Sequence, residues 1–271
     1  MDIPYPFNTL GVRATGETRV RFLLVSKQFE ELDYCRTPMG ELTLRRRRPL
    51  SLDGVDVFEV KLDNDFLMSS LVNDSEIALA ELALAELDAD EMDVVVGGLG
   101  LGYTARAALN QPAVRSVLVV EYLVEVIDWH RRGLVPLGAE LTADRRCRLI
   151  NGDFFAMLNA PGQNLDPEAP GRRFHAMLVD IDHSPRRLLH GGHSPFYELD
   201  GLRRVASHLL PGGVFALWSA DPPDEDFLQK LDGAFDSSNA HVVAFRNPLL
   251  NYDDLNTVYV ARTAKLTGSH P

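Results

Sequence analysis

The chain has 271 residues, 45% of them hydrophobic and 24% charged, with a formal net charge of -12. That supplies a substantial core, in one large domain or one domain with a smaller attachment. The acidic balance argues against a nucleic-acid face, which needs clustered Lys and Arg, and mildly favours a cationic small molecule. The two cysteines, Cys35 and Cys147, form neither a disulfide framework nor a zinc-ligand set, so a reduced cytoplasm is the default compartment. "MDIPYPFNTLG" has no basic segment leading into an apolar run, and no apolar stretch reaches about 18 residues. Neither a signal peptide nor a membrane span is expected.

In chain order, "RVRFLLVS", "GELTLRRRR" and "VDVFEVKLD" are short runs with partial alternation, separated by turn signals. They predict a small antiparallel sheet in an N-terminal domain of residues 1–72. The basic run Arg45 to Arg48 reads as a solvated or inter-subunit face, since a strand sends alternate side chains to opposite sides. "SEIALAELALAELDADE" predicts a helix, with Ser75 or Asp74 as its cap.

From Asp93 onward, strands and helices alternate. "DVVVGG", "SVLVVEY", "CRLINGD", "FHAMLVDID" and "GGVFALWSA" read as strands, each followed by a helical segment; "HVVAFRN" and "NTVYVART" close the chain as a hairpin. Five β-then-α units predict an α/β domain over residues 73–271, a mostly parallel sheet with helices on both faces and an antiparallel edge. "NAPGQNLDPEAPGRR" reads as a surface loop.

The first of these strands runs into Gly98, Gly100 and Gly102. The spacing is G-x-G-x-G and not G-x-G-x-x-G, because position 103 is Tyr. The longer spacing marks a dinucleotide pyrophosphate; the shorter lets backbone approach a compact ligand. Glu121 ends the next strand, 19 residues after Gly102, where a carboxylate can accept both hydroxyls of a ribose. Asp153 ends the third strand, within reach of an adenine amino group, and Asp180 ends the fourth. Ligands of open α/β sheets bind beyond these strand ends.

"VVVGGLGLG", Glu121, "NGDFF" and "VDID…SPFYELDGLRRVASHLLPGGVFAL" resemble class I S-adenosylmethionine-binding proteins, and among them spermidine synthases and their relatives. The resemblance spans roughly residues 35 to 262. It implies a Rossmann-like class I methyltransferase fold with a small N-terminal β-rich domain, a homodimer, and S-adenosylmethionine or decarboxylated S-adenosylmethionine as co-substrate. It also implies that Gly98, Gly100 and Gly102 line the methionine-derived part of the donor, Glu121 holds the ribose, Asp153 meets the adenine, and Asp180 sits beside the sulfonium near the acceptor.

Several positions depart from the aminopropyltransferase pattern. Gly100 stands where an acid is usual, which leaves room for the donor's carboxylate. His183, preceded by Asp182, stands at the second acid of Asp-x-x-Asp. "NDSEIAL" lacks the Tyr-His or Tyr-Gln pair but keeps Glu76, and Trp218 replaces a Gln. These changes favour methyl transfer from S-adenosylmethionine to a small amine acceptor. Aminopropyl transfer, and a non-catalytic nucleoside-binding regulator, are the other readings.

An amine acceptor must lose a proton, and Asp180, Asp182 and His183 are the candidate acid/base group. His183, His190 and His193 with these acids fit no standard zinc spacing, so no metal is expected. The glycine-containing loop that carries them reads instead as a lid. Arg186 and Arg187 read either as a bidentate hold on a substrate carboxylate or as solvated side chains.

Overall fold

Strands β1 (Phe29–Thr37), β2 (Gly40–Arg47), β3 (Val57–Leu62) and β4 (Asp65–Ser69) pair in sequence order as an antiparallel sheet. The computed structural model describes residues 28–52, 54–159, 165–248 and 252–265; the strand expected at 19–26 lies outside them, as do residues 160–164 of the expected loop. The sequence pattern does not predict β1 or β4. β1 carries four charged residues among nine and β4 is only five residues long, so neither presents a clear apolar alternation.

The rest of the chain alternates. Helix α1 (Asp74–Ala85) leads into β5 (Met92–Gly97), α2 (Tyr103–Leu109), β6 (Val114–Glu121), α3 (Val124–Arg131), α4 (Gly138–Ala143), β7 (Cys147–Asn151) and α5 (Phe154–Asn159). β8 (Phe174–Val179), α6 (Leu199–Ser207), β9 (Leu209–Ser219), α7 (Glu225–Asp232), β10 (Ser237–Asn247) and β11 (Tyr252–Arg262) follow. The seven strands lie in the order β10-β11-β9-β8-β5-β6-β7. Only β11 runs against the others. The expected α/β class, mostly parallel with an antiparallel edge hairpin, is the one observed.

Period-two alternation puts the sheet between two cores. Val94 and Val96 of β5 join one, with Ala176, Leu178, Val214 and Ala216; Val95 joins the other, with Met177, Val179, Phe215 and Leu217. The first core also takes in Leu42, Leu44 and Val60 of the antiparallel sheet. Full burial of a leucine is worth about 1.5–3 kcal/mol, so packing holds that sheet over the parallel one. Asp33 of β1 adds a polar tie, accepting the Trp129 indole N–H of α3 at 2.8 Å.

Three local details differ from expectation. The single helix expected over 123–135 ends at Arg131, and Gly133 (φ 66°) turns the chain toward α4. The helix expected from Phe196 starts at Leu199, because Gly191–Tyr197 forms a 3-10 segment and Glu198 is extended. The α1 cap position is Asn73, with no side-chain cap, because the Ser75 hydroxyl is used elsewhere.

The chain leaves β5 toward β6 and β7 and returns to β8 and β9 on the opposite side. The loops after β5 and β8 therefore part from one another, which opens a crevice at the carboxyl ends of these strands.

Candidate active site

The turn after β5 is held by the strands on both sides. Asp180 donates its N–H to the Gly97 carbonyl at 2.9 Å, and Gly98 donates to Val120 at 2.9 Å. Gly98 has φ 92°, and a Cβ there would sit 2.1 Å from the Asp180 carbonyl oxygen. Gly102 has φ 95°, with Leu141 filling the space a Cβ would need. Both glycines are required by backbone and packing. Gly100 is different: its φ is 50°, and a Cβ would meet only the Met68 thioether, with Sδ 2.9 Å away. The Gly100 carbonyl accepts from Nε2 of fully buried His130 at 2.9 Å. Burial keeps that imidazole below its ordinary pKa, consistent with a neutral ring that donates from Nε2.

Glu121 follows the turn from below. Its Oε2 accepts the Leu99 N–H at 2.9 Å and its Oε1 the Leu123 N–H at 2.8 Å. Burial pushes this carboxyl up, and the backbone donors work against that shift. Each oxygen keeps acceptor capacity for a ligand hydroxyl. Asp153 accepts the Ala156 N–H at 3.0 Å, which caps α5. Gly98, Gly100, Glu121, Asp153 and Asp180 all line one cavity of about 370 Å³, closed on its other side by Met39, Leu42 and Val60 of the antiparallel sheet. Gly102 lies outside this cavity and lines its neighbour.

The second cavity, about 440 Å³, shares Leu67, Met68, Gly100, Asp180, Ile181 and Leu189 with the first. Asp180 therefore stands where the two meet. Its Oδ2 accepts the Thr104 hydroxyl at 3.0 Å, and burial pushes the carboxyl up to about 6 despite that bond. Glu76 of α1 lines the second cavity as well. Burial first, then the charge of Asp180, pushes Glu76 up to about 7.

Two distant segments fix Glu76 through Ser75. Trp218 at the end of β9 donates its indole N–H to Ser75 Oγ at 2.9 Å, and Asn256 of β11 donates its amide at 2.8 Å. With both acceptor positions taken, the Ser75 hydroxyl donates to Glu76 Oε2 at 3.0 Å. Ser75 is thus a hub and not a helix cap. Nothing in the local sequence marks Ser75, Thr104 or Asn256, because their partners come from strands adjacent only in the folded sheet.

The three candidate acid/base residues are not together. His183 lines the second cavity with Asp180. Asp182 is buried behind them and lines neither cavity. Its carboxylate accepts the Leu189 N–H at 2.7 Å, His193 Nδ1 at 2.9 Å and the Tyr197 hydroxyl at 2.8 Å. It ties down both ends of the following loop. His193 also stacks on Phe155 at 4.1 Å, and His190 lines the first cavity. Arg186 and Arg187, expected to reach a substrate carboxylate, instead pair with Asp224 and Asp221. The basic run is similarly engaged: Arg45 and Arg47 with Glu59, Arg46 with Glu30 and Asp56, Arg48 with Asp56.

The strand order, the glycine turn and the acids beyond successive strands define a Rossmann-like class I methyltransferase fold, carrying an additional four-stranded sheet over the crevice. No family model matches the chain. Among solved structures it is similar to spermidine synthase from Thermotoga maritima, with 13% identity and a TM-score of 0.64 over 86% of this chain and 73% of that one. A spermidine synthase in complex with the transition state analogue AdoDATO is similar at 14% identity and a TM-score of 0.66, over 86% and 74%. A probable spermidine synthase from Corynebacterium glutamicum follows at 15% and 0.57, over 88% and 82%. The chain has the spermidine-synthase fold. Among the described residues, no helix is long and apolar enough to cross a membrane.

Proposed function

We propose that the protein is a transferase that binds S-adenosylmethionine in the first cavity and moves its methyl group to an amine held in the second. The observation that carries this reading is the position of Asp180 at the junction of the two cavities, with Glu121 on one side and Glu76 on the other. Glu121 would accept the ribose hydroxyls, Asp153 the adenine amine, and the glycine turn would face the methionine part. The roles of Gly98, Gly100 and Asp153 rest on the same cavity; Gly102 supports the turn from outside it.

The chemistry follows from the charges. The acceptor nitrogen attacks the methyl carbon in line, the carbon–sulfur bond breaks, and its electron pair neutralises the sulfonium. Only an uncharged amine has the lone pair to attack, so the ammonium proton must leave first. Asp180 and Glu76, both with raised proton affinity, are matched to take it. Holding the two partners in line supplies the rest. His183 shares this cavity and would orient the acceptor. Asp182 would act only through the loop.

A second reading is aminopropyl transfer from decarboxylated S-adenosylmethionine. Similarity to a spermidine synthase complexed with AdoDATO favours it; the glycine at position 100, where an acid would hold the donor's amine, favours the first. Calorimetric titration with each donor separates them. Tighter binding of S-adenosylmethionine supports methyl transfer, tighter binding of the decarboxylated compound reverses the order, and binding of neither removes both.

A further inference from the structure

Four consecutive arginines close β2 and enter the loop after it. Strand alternation divides them into two pairs. Arg46 and Arg48 meet Glu30 and Asp56, nearly one acid to each cation. Arg45 and Arg47 both close on Glu59, with Arg45 Nε 2.6 Å from Oε2 and Arg47 Nε 2.7 Å from Oε1. The Glu59 side chain is 3% exposed. One buried carboxylate here serves two guanidinium groups, so Arg47 shares its acid with Arg45.

The two guanidinium groups face different surroundings. Arg45 lies over the Phe29 ring at 5.8 Å. Arg47 lines the second cavity beside Glu59, and its side chain is 35% exposed. A guanidinium has five N–H donors in a planar fork; Arg47 gives Nε and Nη2 to Glu59 and retains donors for a ligand. Glu76 and Asp180 line the same cavity. One chamber therefore presents, besides the clamped pair Arg47 and Glu59, two further acids.

We propose that Arg47 is a carboxylate-binding residue of the second cavity, and that the acceptor is an amino acid or similar zwitterion, its amine toward Glu76 and Asp180 and its carboxylate on Arg47. The inference rests on the second cavity being the acceptor site. It also discriminates: a diamine would place its second ammonium beside a guanidinium, and like charges in a confined site count against a ligand.

The test is binding of ω-amino acids of three to six carbons, each against the diamine of equal length, to the full chain saturated with S-adenosylhomocysteine. In the unsubstituted protein at least one amino acid binds about tenfold or more tighter than its diamine, the scale of a charged hydrogen-bonded pair. Arg47→Met abolishes that preference and Arg45→Met preserves it. Glu59 retains Arg45 in the first variant and Arg47 in the second, so neither leaves the buried carboxylate alone; thermal melting checks that both fold. The proposal is overturned if no amino acid outbinds its diamine, or if the preference survives Arg47→Met. Titration of the same variants with both donors distinguishes the source of the carboxylate. If Arg47→Met weakens S-adenosylmethionine but spares the decarboxylated compound, the carboxylate is the donor's and the acceptor assignment falls. Normal donor binding with no amino-acid preference sinks the inference while the transferase reading stands. No donor binding by the unsubstituted protein sinks both.

Discussion

Asp180 raises the proton affinity of Glu76: the two carboxyls line one cavity, and the charge of Asp180 adds to burial in pushing Glu76 up to about 7. Glu76 is reached from α1 and Asp180 from the end of β8, with Thr104 between them, bonded to Asp180 Oδ2 and 3.4 Å from the Glu76 carbonyl. Two acids brought this close cannot both ionise freely.

A base acts only when deprotonated. Both carboxyls have pKa values raised toward neutrality, so the rate of the proposed transfer falls as pH drops through about 7 and then about 6. A pH profile of kcat/KM in Glu76→Gln loses the upper of the two limbs. Asp180→Asn lowers the rate roughly 10²–10⁴-fold, the usual contribution of a positioned base. An unchanged profile in Glu76→Gln would remove Glu76 from proton transfer.

The same shift has a stability consequence of opposite sense to the usual paired carboxylate. The folded state holds the Glu76 proton more tightly than the unfolded chain does, so it binds more protons between about 4.5, the ordinary value, and about 7. Its contribution is fully present below that window and is lost as pH rises through it. Glu76→Gln mimics the protonated acid and keeps the Ser75 hydroxyl bonded. Thermal melting from pH 5 to pH 8 therefore shows a smaller loss of Tm in Glu76→Gln than in the parent protein. Equal losses would mean that Glu76 ionises in the folded state as it does in the unfolded one.

Much of this site is legible before the fold is known, and for a physical reason. Buried parallel strands need apolar runs, and strand-to-helix turns at a switch point need glycine, so Val94 to Gly102 announces both the strand and the turn. Glu121, Asp153 and Asp180 are visible because strand ends can be counted. The second cavity is far less legible. Ser75, Trp218 and Asn256 belong to α1, β9 and β11, and only the strand order β11-β9-β8 brings them together. Asp182 illustrates the converse. It sits two residues from Asp180, but a loop that turns inward after Ile181 buries its carboxylate under Leu189, His193 and Tyr197. Sequence proximity places both acids near the crevice, and only the backbone path decides which one enters it. Arg186 and Arg187 likewise read as ligand-binding in isolation, whereas Asp221 and Asp224 after β9 engage them.

Glu121 carries the donor assignment. Glu121→Ala removes the acceptor for the Leu99 and Leu123 N–H groups together with both oxygens available to a ribose. Each charged hydrogen bond is worth about 1.5–3 kcal/mol, so donor affinity falls by roughly 10²-fold or more. Calorimetry reads the loss, and near-unchanged affinity in a variant that melts normally would sink the ribose assignment.

The first two glycines of the G-x-G-x-G turn, Gly98 and Gly100, should respond to substitution in opposite ways. At Gly98 a methyl group meets a main-chain carbonyl at 2.1 Å, and φ 92° disfavours any L side chain. Gly98→Ala destabilises the fold by more than about 1 kcal/mol, because neither strand end can retreat. At Gly100 the obstacle is the Met68 thioether, a flexible side chain with three rotatable bonds, and φ 50° lies in the left-handed region that Asp tolerates better than most residues. Gly100→Asp therefore melts within a few degrees of the parent. Its new carboxylate faces the end of the first cavity proposed for the methionine portion. There it repels the α-carboxylate of S-adenosylmethionine and attracts the bare ammonium of the decarboxylated donor. The expected result is weaker binding of the first donor with unchanged or tighter binding of the second, read by titration in parallel. Equal losses for both would mean that the methionine portion does not reach Gly100.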